Sequence, residues 1–259
     1  MKKLILFSFF ATATVMNAPI YAQEKVKFTK EQLKIMDDML FDEVFVGVSS
    51  KKNSTLILKD GTKKMGSVSG VTRKKGQITS IKMKDAAGKK VEYQADEIEE
   101  MYLPITGFEK GAKVANYFGT SKNWGSKNLT NSTNPDEVYV RNITASLKNK
   151  KAEKEYLMQL INPSFSSQIE VYADPMASET TSISFGGGPG IGGGVIKSYY
   201  IKKGEEVMWL KKGEFEENYN FLFGDNQEFL QKFPYNSIKW DYLSYLIAEY
   251  TKMTEENNS

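Results

Sequence analysis

Ser54–Val68 reads STLILKDGTKKMGSV: an apolar run, the dipeptide Asp60-Gly61, and a second run. Asp-Gly between two such runs is a strong hairpin signal, because a tight turn needs the positive φ that Gly adopts at little cost. Gln77–Gln94 repeats the pattern around Gly88, and ADEIEEMYLP adds a short turn and a last strand ending at Pro104. Lys82 stands between Ile81 and Met83, which places lysines on the face opposite the apolar one. Residues 54–104 are therefore expected to form a small Lys-rich β barrel whose outer face is solvated.

LILKDGTKKMGSV is similar to the first sequence motif of Sm-like barrels: an apolar strand, a Lys-Asp-Gly turn, then a strand carrying Gly66. The resemblance covers about a fifth of the chain and implies a small bent barrel of the SH3/Sm type. It does not carry RNA binding with it. The Asp and Asn positions with which Sm proteins hold bases have no counterpart in Gly70–Ile78, GVTRKKGQI, and the Arg-Gly pair of the second motif is missing after Val91.

Upstream, residues 23–53 are expected to hold a helix and a short strand. TKEQLKIMDDMLFDE, residues 29–43, has Thr29 as N-cap with Gln32 three positions on, a capping box, and a stripe of Leu33, Met36 and Leu40. VFVGV after it reads as the strand. Downstream, residues 105–137 form a polar, turn-rich linker. Residues 138–259 read as an antiparallel β module closed by a C-terminal helical hairpin. Its strand candidates are VYVRNITASL, KEYLMQLI, QIEVYA, TTSISF, GVIKSYYI and EVMWLK, joined by Asn-Pro, Asp-Pro and Lys-Gly turns. The tail has Asp225 as N-cap with Glu228 following, a break at Pro234, and an amphipathic helix with Leu243, Leu246, Ile247 and Tyr250 on one face. LMQLINPSFSSQIEVYADPMA followed by KSYYIKKGEE resembles secreted proteins common in flavobacteria-type bacteria, a resemblance that brings no activity with it.

Residues 1–22 have the pattern of a secretory signal peptide: Lys2 and Lys3, an uncharged apolar run from Leu4 to Met16, Pro19, and cleavage expected between Ala22 and Gln23. The expected destination is the periplasm or the medium, with no transmembrane segment after removal of the signal. The chain has no cysteine, which removes disulfides and a lipoprotein anchor. It also has no histidine, which removes the Ser-His-Asp and Cys-His arrangements and the usual zinc ligands. Carboxylates, lysines, tyrosines and serines are left for any catalysis, so the enzyme class still open is a carbohydrate-active enzyme with a carboxylate pair.

Charge is unevenly spread. Residues 51–90 hold twelve Lys or Arg against Asp60 and Asp85 alone. Lys63, Lys64, Arg73, Lys74 and Lys75 are the candidate polyanion contacts, with Lys favouring diffuse attraction over bidentate recognition. Trp124, in the polar linker, is the candidate contact for carbohydrate or a partner protein; Trp209 and Trp240 are expected in the core. Ser184–Tyr200, SFGGGPGIGGGVIKSYY, contains G-x-G-x-x-G at Gly188, Gly190 and Gly193. No helix follows it, so Gly186–Gly194 is read as a mobile hairpin connection rather than a phosphate cradle. No nucleotide, metal or other cofactor is expected. Adjacent acids such as Glu99 and Glu100 do not face one another and suggest no acid/base couple.

Together these readings give an α+β, mainly β protein: a small SH3/Sm-like barrel plus a second antiparallel β module with C-terminal helices. The expected role is an exported, non-enzymatic binding or scaffolding protein of the cell envelope. Its partner would be an anionic envelope polymer or an envelope protein.

Overall fold

The computed structural model describes residues 25–42, 44, 45, 47–104, 137–177 and 196–257. Helix α1, Lys30–Asp38, begins with the expected capping box: Thr29 Oγ1 accepts from the Gln32 N–H at 3.2 Å and Gln32 Oε1 from the Thr29 N–H at 2.8 Å. It ends short of residue 43, where Met39 turns extended. Extended chain lets Met39 enter the core and Phe41 reach the rings of Phe165 and Tyr199. Among the described residues of VFVGV, the expected strand reduces to an isolated bridge at Val48. The segment instead forms a strap across the sheet. The Asp42 N–H donates to Ile161 O at 2.8 Å, Phe45 N–H to Gln159 Oε1 at 3.0 Å, and Ser49 N–H to Pro104 O at 2.7 Å.

Under this strap burial pushes the Asp42 carboxyl up to about 7. Its unfolded value is near 3.8, so between these values the folded chain holds a proton that the unfolded chain releases. That contribution to stability is complete below the unfolded value and is lost as pH rises through the folded one. The wild type should lose on the order of 2 kcal/mol between about pH 5 and about pH 8, allowing for partial exposure of the carboxyl. Asp42→Asn should remove this pH dependence. Urea midpoints of both chains at the two pH values check it, and parallel profiles would contradict it.

The strands are β1 (Asn53–Leu58), β2 (Lys63–Lys74), β3 (Gln77–Lys84), β4 (Lys90–Gln94) and β5 (Ile98–Pro104), followed by β6 (Glu137–Ala145), β7 (Lys154–Leu160), β8 (Ile169–Ala173), β9 (Ser198–Lys203) and β10 (Glu206–Lys211). They pair antiparallel in the order β10-β9-β8-β7-β6-β5-β1-β2-β3-β4, and β3 returns to β7 through Ile78 and Leu157. Six strands, β7-β6-β5-β1-β2-β3, thus close a barrel. Its interior is filled by Leu56, Ile81, Ile98, Met101, Leu103 and Val140, among others, with Phe45 from the strap. Closure needs β2 to bend, and two register shifts supply the bend, at Val68/Gly70 and Thr72/Arg73. It also needs close approach at Gly66, where a Cβ would lie 2.2 Å from Lys84 O.

The fold is mainly β with a barrel and C-terminal helices, as the sequence implies. The expected boundary between a 54–104 barrel and a 138–259 module does not hold, because it falls inside this barrel. Strands β1–β5 leave β5 with an open edge, and β4 pairs with β3 only from Ser80 onward, so the start of β3 around Ile78 is open too; an open edge is satisfied by pairing. Here β6 and β7 provide it.

From β7 the sheet runs on through β8, β9 and β10. One face of this extension, including Val171, Tyr199, Ile201 and Leu210, packs against helices α2 (Tyr219–Phe223), α3 (Gln227–Lys232) and α4 (Leu243–Asn257). Asn226, not Asp225, caps α3, its Oδ1 accepting from the Phe229 N–H at 2.9 Å. Asp225 is taken by Lys203 Nζ at 2.9 Å and the Tyr250 hydroxyl at 2.8 Å. The expected helical hairpin is present: contacts Asn226–Thr254, Phe229–Tyr250 and Lys232–Glu249 run in opposite directions along α3 and α4. Helix α4 starts only at Leu243, after turns at 235–237 and 240–242, and is buried from Leu243 to Thr251 rather than along one stripe. Trp240 is core, as expected, and donates to Ile196 O at 2.7 Å.

The opposite face of β5–β10 packs its own apolar cluster, with Tyr102, Tyr139, Met158, Leu160, Tyr172 and Tyr200. Trp209 is half-buried at its edge rather than in the core. There Asn149 substitutes for a strand: its side chain accepts from the Trp209 N–H at 2.9 Å and donates to the Trp209 C=O at 2.8 Å. Asn149 does this from φ 52°, a left-handed conformation that Asn tolerates better than most residues.

Candidate functional site

The five basic candidates do not form one patch. Lys63 and Lys64 start β2, whereas Arg73 and Lys74 end it. A strand of that length spans roughly 30 Å along its path, so the two groups lie at opposite ends of the barrel wall. Lys64 is half-buried opposite Leu56. The Asp60 carboxyl beside it is held below its ordinary value, first by hydrogen bonds from Thr62 and then by the charge of Lys64. Lys63 is exposed on the outer face, and the ladder register extends that face through Ser67 to Lys84, then to Lys90. Lys84 and Lys90 stand directly opposite one another. Sequence reasoning placed these lysines on the solvent side but did not single out Lys84 and Lys90, because the pairing that brings them together depends on register across the Gly88 turn.

Of the eleven lysines between 51 and 90, Lys59 and Lys82 hold a carboxylate within ion-pair distance among the described residues: Glu155 at 2.5 Å and Glu92 at 3.5 Å. On the outer face Lys63, Lys84 and Lys90 thus have no carboxylate within ion-pair distance among the described residues. At the far end of β2, Arg73 is structural. Its guanidinium lies 4.6 Å from the Phe45 ring centroid and donates to Gly76 O at 3.2 Å, and its burial lowers its pKa. Lys74 and Lys75 at the same tip are exposed.

The second cluster was not legible from adjacency in sequence. Glu100 on β5 faces Arg141 on β6, with Glu100 Oε1 3.3 Å from Arg141 Nε, and Arg141 Nη1 reaches Glu170 Oε1 on β8 at 3.1 Å. Each glutamate also accepts from a tyrosine two positions along its own strand, on the same face: Tyr102 at 2.6 Å for Glu100, and Tyr172 for Glu170. Both carboxylates are buried. Burial would lower the pKa of Arg141, but the neighbouring Tyr172, Glu170 and Glu100 raise it. Burial pushes the Tyr172 phenol well up, and the charge of Glu170 adds to this. Tyr172 thus stays protonated and remains a donor. The repeated Glu-x-Tyr, at 100–102 and 170–172, is the signal that would have found the pair: period two places Glu and Tyr on one side of a strand.

Chemically, three groups among the described residues, Arg141, Tyr102 and Tyr172, engage the two carboxylates of this cluster. Among the described residues no group of three or more acids is arranged to hold a metal ion, and no helix is long and apolar enough to cross a membrane. Trp124, Gly186, Gly188, Gly190 and Gly193, the strand candidate TTSISF, the 105–136 part of the linker, and the cleavage pair Ala22 and Gln23 lie outside the described residues. No known protein family, curated protein or solved structure matches this chain.

Proposed function

We propose that this chain is an exported, non-enzymatic binding protein of the periplasm or cell surface. Its lysine-rich barrel wall attracts anionic envelope polymers, and its helix-covered half serves as scaffold. The observation that carries the reading is the exposed Lys84–Lys90 opposition on the same wall as Lys63, with no carboxylate on any of the three among the described residues. Like charges placed directly across a ladder are destabilising, and an anionic partner relieves that repulsion.

Retention on a heparin column tests this. Lys63→Gln, Lys84→Gln and Lys90→Gln together should elute the protein at clearly lower salt than the wild type. Arg73→Gln should change elution little, since its guanidinium is already committed to Phe45 and Gly76. Unchanged elution of the triple variant would sink the proposal.

The alternative, a carbohydrate-active enzyme, is favoured by one observation: folding brings Glu100 and Glu170 onto a single guanidinium. A retaining or inverting pair needs one carboxyl to give a proton and the other to attack or activate water. Here Arg141 and two tyrosine hydroxyls engage both acids, which is why we place the enzyme second. Release of reducing sugar from envelope glycan, abolished by both Glu100→Gln and Glu170→Gln, would reverse that order.

A further inference from the structure

Two turns meet at the end of the barrel wall away from Lys63. In the β2–β3 turn, Lys75 at φ 51° and Gly76 at φ 80° occupy the central positions between the ladder partners Lys74 and Gln77, the two left-handed residues that a two-residue hairpin favours. In the turn after β8, the Ala177 N–H donates to Asp174 O at 3.0 Å, and the Met176 N–H to Asp174 Oδ1 at 2.9 Å. The turns touch: a Cβ on Gly76 would lie 2.9 Å from Pro175 Cβ. Lys74, Lys75 and Met176 are brought close together at this end, all exposed, and Met176 is 56% accessible.

Among the described residues the tip exposes one sign of charge. Arg73 braces it from below through Gly76 O and the Phe45 ring. The carboxylate of Asp174 is turned inward, its Oδ2 accepting from the Ser198 hydroxyl and the Trp209 indole N–H, each at 2.8 Å. The surface therefore combines two lysines without an ion-pair partner among the described residues and an exposed thioether. A soluble polyanion satisfies the charges and leaves the methionine in water. The surface of an anionic bilayer satisfies both: headgroup phosphates meet the lysines, and the acyl boundary receives the apolar side chain.

We propose that this double turn docks peripherally on anionic lipid, with Met176 entering the headgroup–acyl boundary. The inference rests on the anion-attracting reading of the barrel and adds the kind of surface attracted. The experiment uses the full chain and sedimentation with vesicles of phosphatidylglycerol mixed into phosphatidylcholine, beside pure phosphatidylcholine and a heparin column.

Binding to the anionic vesicles alone is expected, reduced about fivefold by Met176→Ser and about thirtyfold by Lys74→Gln with Lys75→Gln. Heparin elution should not move with Met176→Ser. Met176→Trp should show a blue-shifted emission with the anionic vesicles. Heparin retention without vesicle binding, or vesicle binding indifferent to Met176→Ser, overturns the lipid inference and leaves the polymer reading standing. Failure on both supports removes both.

Discussion

Arg141→Leu should lower stability by about 3–5 kcal/mol. The substitution keeps the bulk of the side chain on β6 but removes the guanidinium that two buried carboxylates, Glu100 and Glu170, now meet at 3.3 and 3.1 Å. Paired charges in a low-dielectric interior are close to neutral in net worth, whereas one left without its partner is costly. Adding Glu100→Gln and Glu170→Gln should therefore recover most of the loss, because each amide oxygen still accepts from its tyrosine and no charge is left over. Urea melts of the single and triple variants separate this from simple loss of packing, which the glutamines would not repair. A single variant within about 1 kcal/mol of wild type would mean that the cluster is more open to water than its burial implies.

Asn162→Ala is expected to cost about 3 kcal/mol, from buried backbone groups left without partners. Asn162 is fully buried. Its Nδ2 donates to Phe165 O at 3.3 Å and Ile169 O at 2.8 Å, while Oδ1 accepts from the Val171 N–H at 2.8 Å. The ladder between β7 and β8 has the single partner pair Leu160 and Tyr172, so this side chain provides much of the joint between the barrel and the helix-covered extension. Asn162→Asp should be at least as damaging, since it removes both donors and introduces a buried charge. Guanidinium unfolding of both variants checks the pair; an Asp variant as stable as wild type would refute this account of the joint.

Local signals carried the strands well. Asp60-Gly61, Gly88 and Lys203-Gly204 mark hairpins that form where the residues place them, with Gly61, Gly88 and Gly204 all at positive φ. The capping box at Thr29 was legible for the same reason, since it is made by residues three apart. What failed was long-range. Nothing near Ile78 announces that it pairs with Leu157, so a barrel expected within 54–104 is closed by β6 and β7, which begin only at residue 137. Asp225 looked like the cap of α3, yet Lys203 at the end of β9 competes for it, and Asn226 takes the role.

The candidate sites divide the same way. Basic composition could be counted, and the exposure of Lys63, Lys74 and Lys75 follows from it. The engagement of Arg73 with Phe45 depends on where the strap crosses the barrel. Glu100 and Glu99 do point to opposite faces as alternation requires, but Glu100 finds Glu170 through Arg141, seventy positions along the chain and three strands across the sheet.

The central proposal is that exposed lysines on the barrel wall, without an ion-pair partner among the described residues, are what this protein presents to its partner. Its most direct test is the salt dependence of binding to fluorescein-labelled heparin, followed by anisotropy, for the wild type and the Lys63→Gln, Lys84→Gln, Lys90→Gln variant. The account predicts affinity falling steeply with salt in the wild type, with a log–log slope shallower by roughly 2 in the variant. Identical slopes in the two proteins, or no binding at low salt, would contradict it.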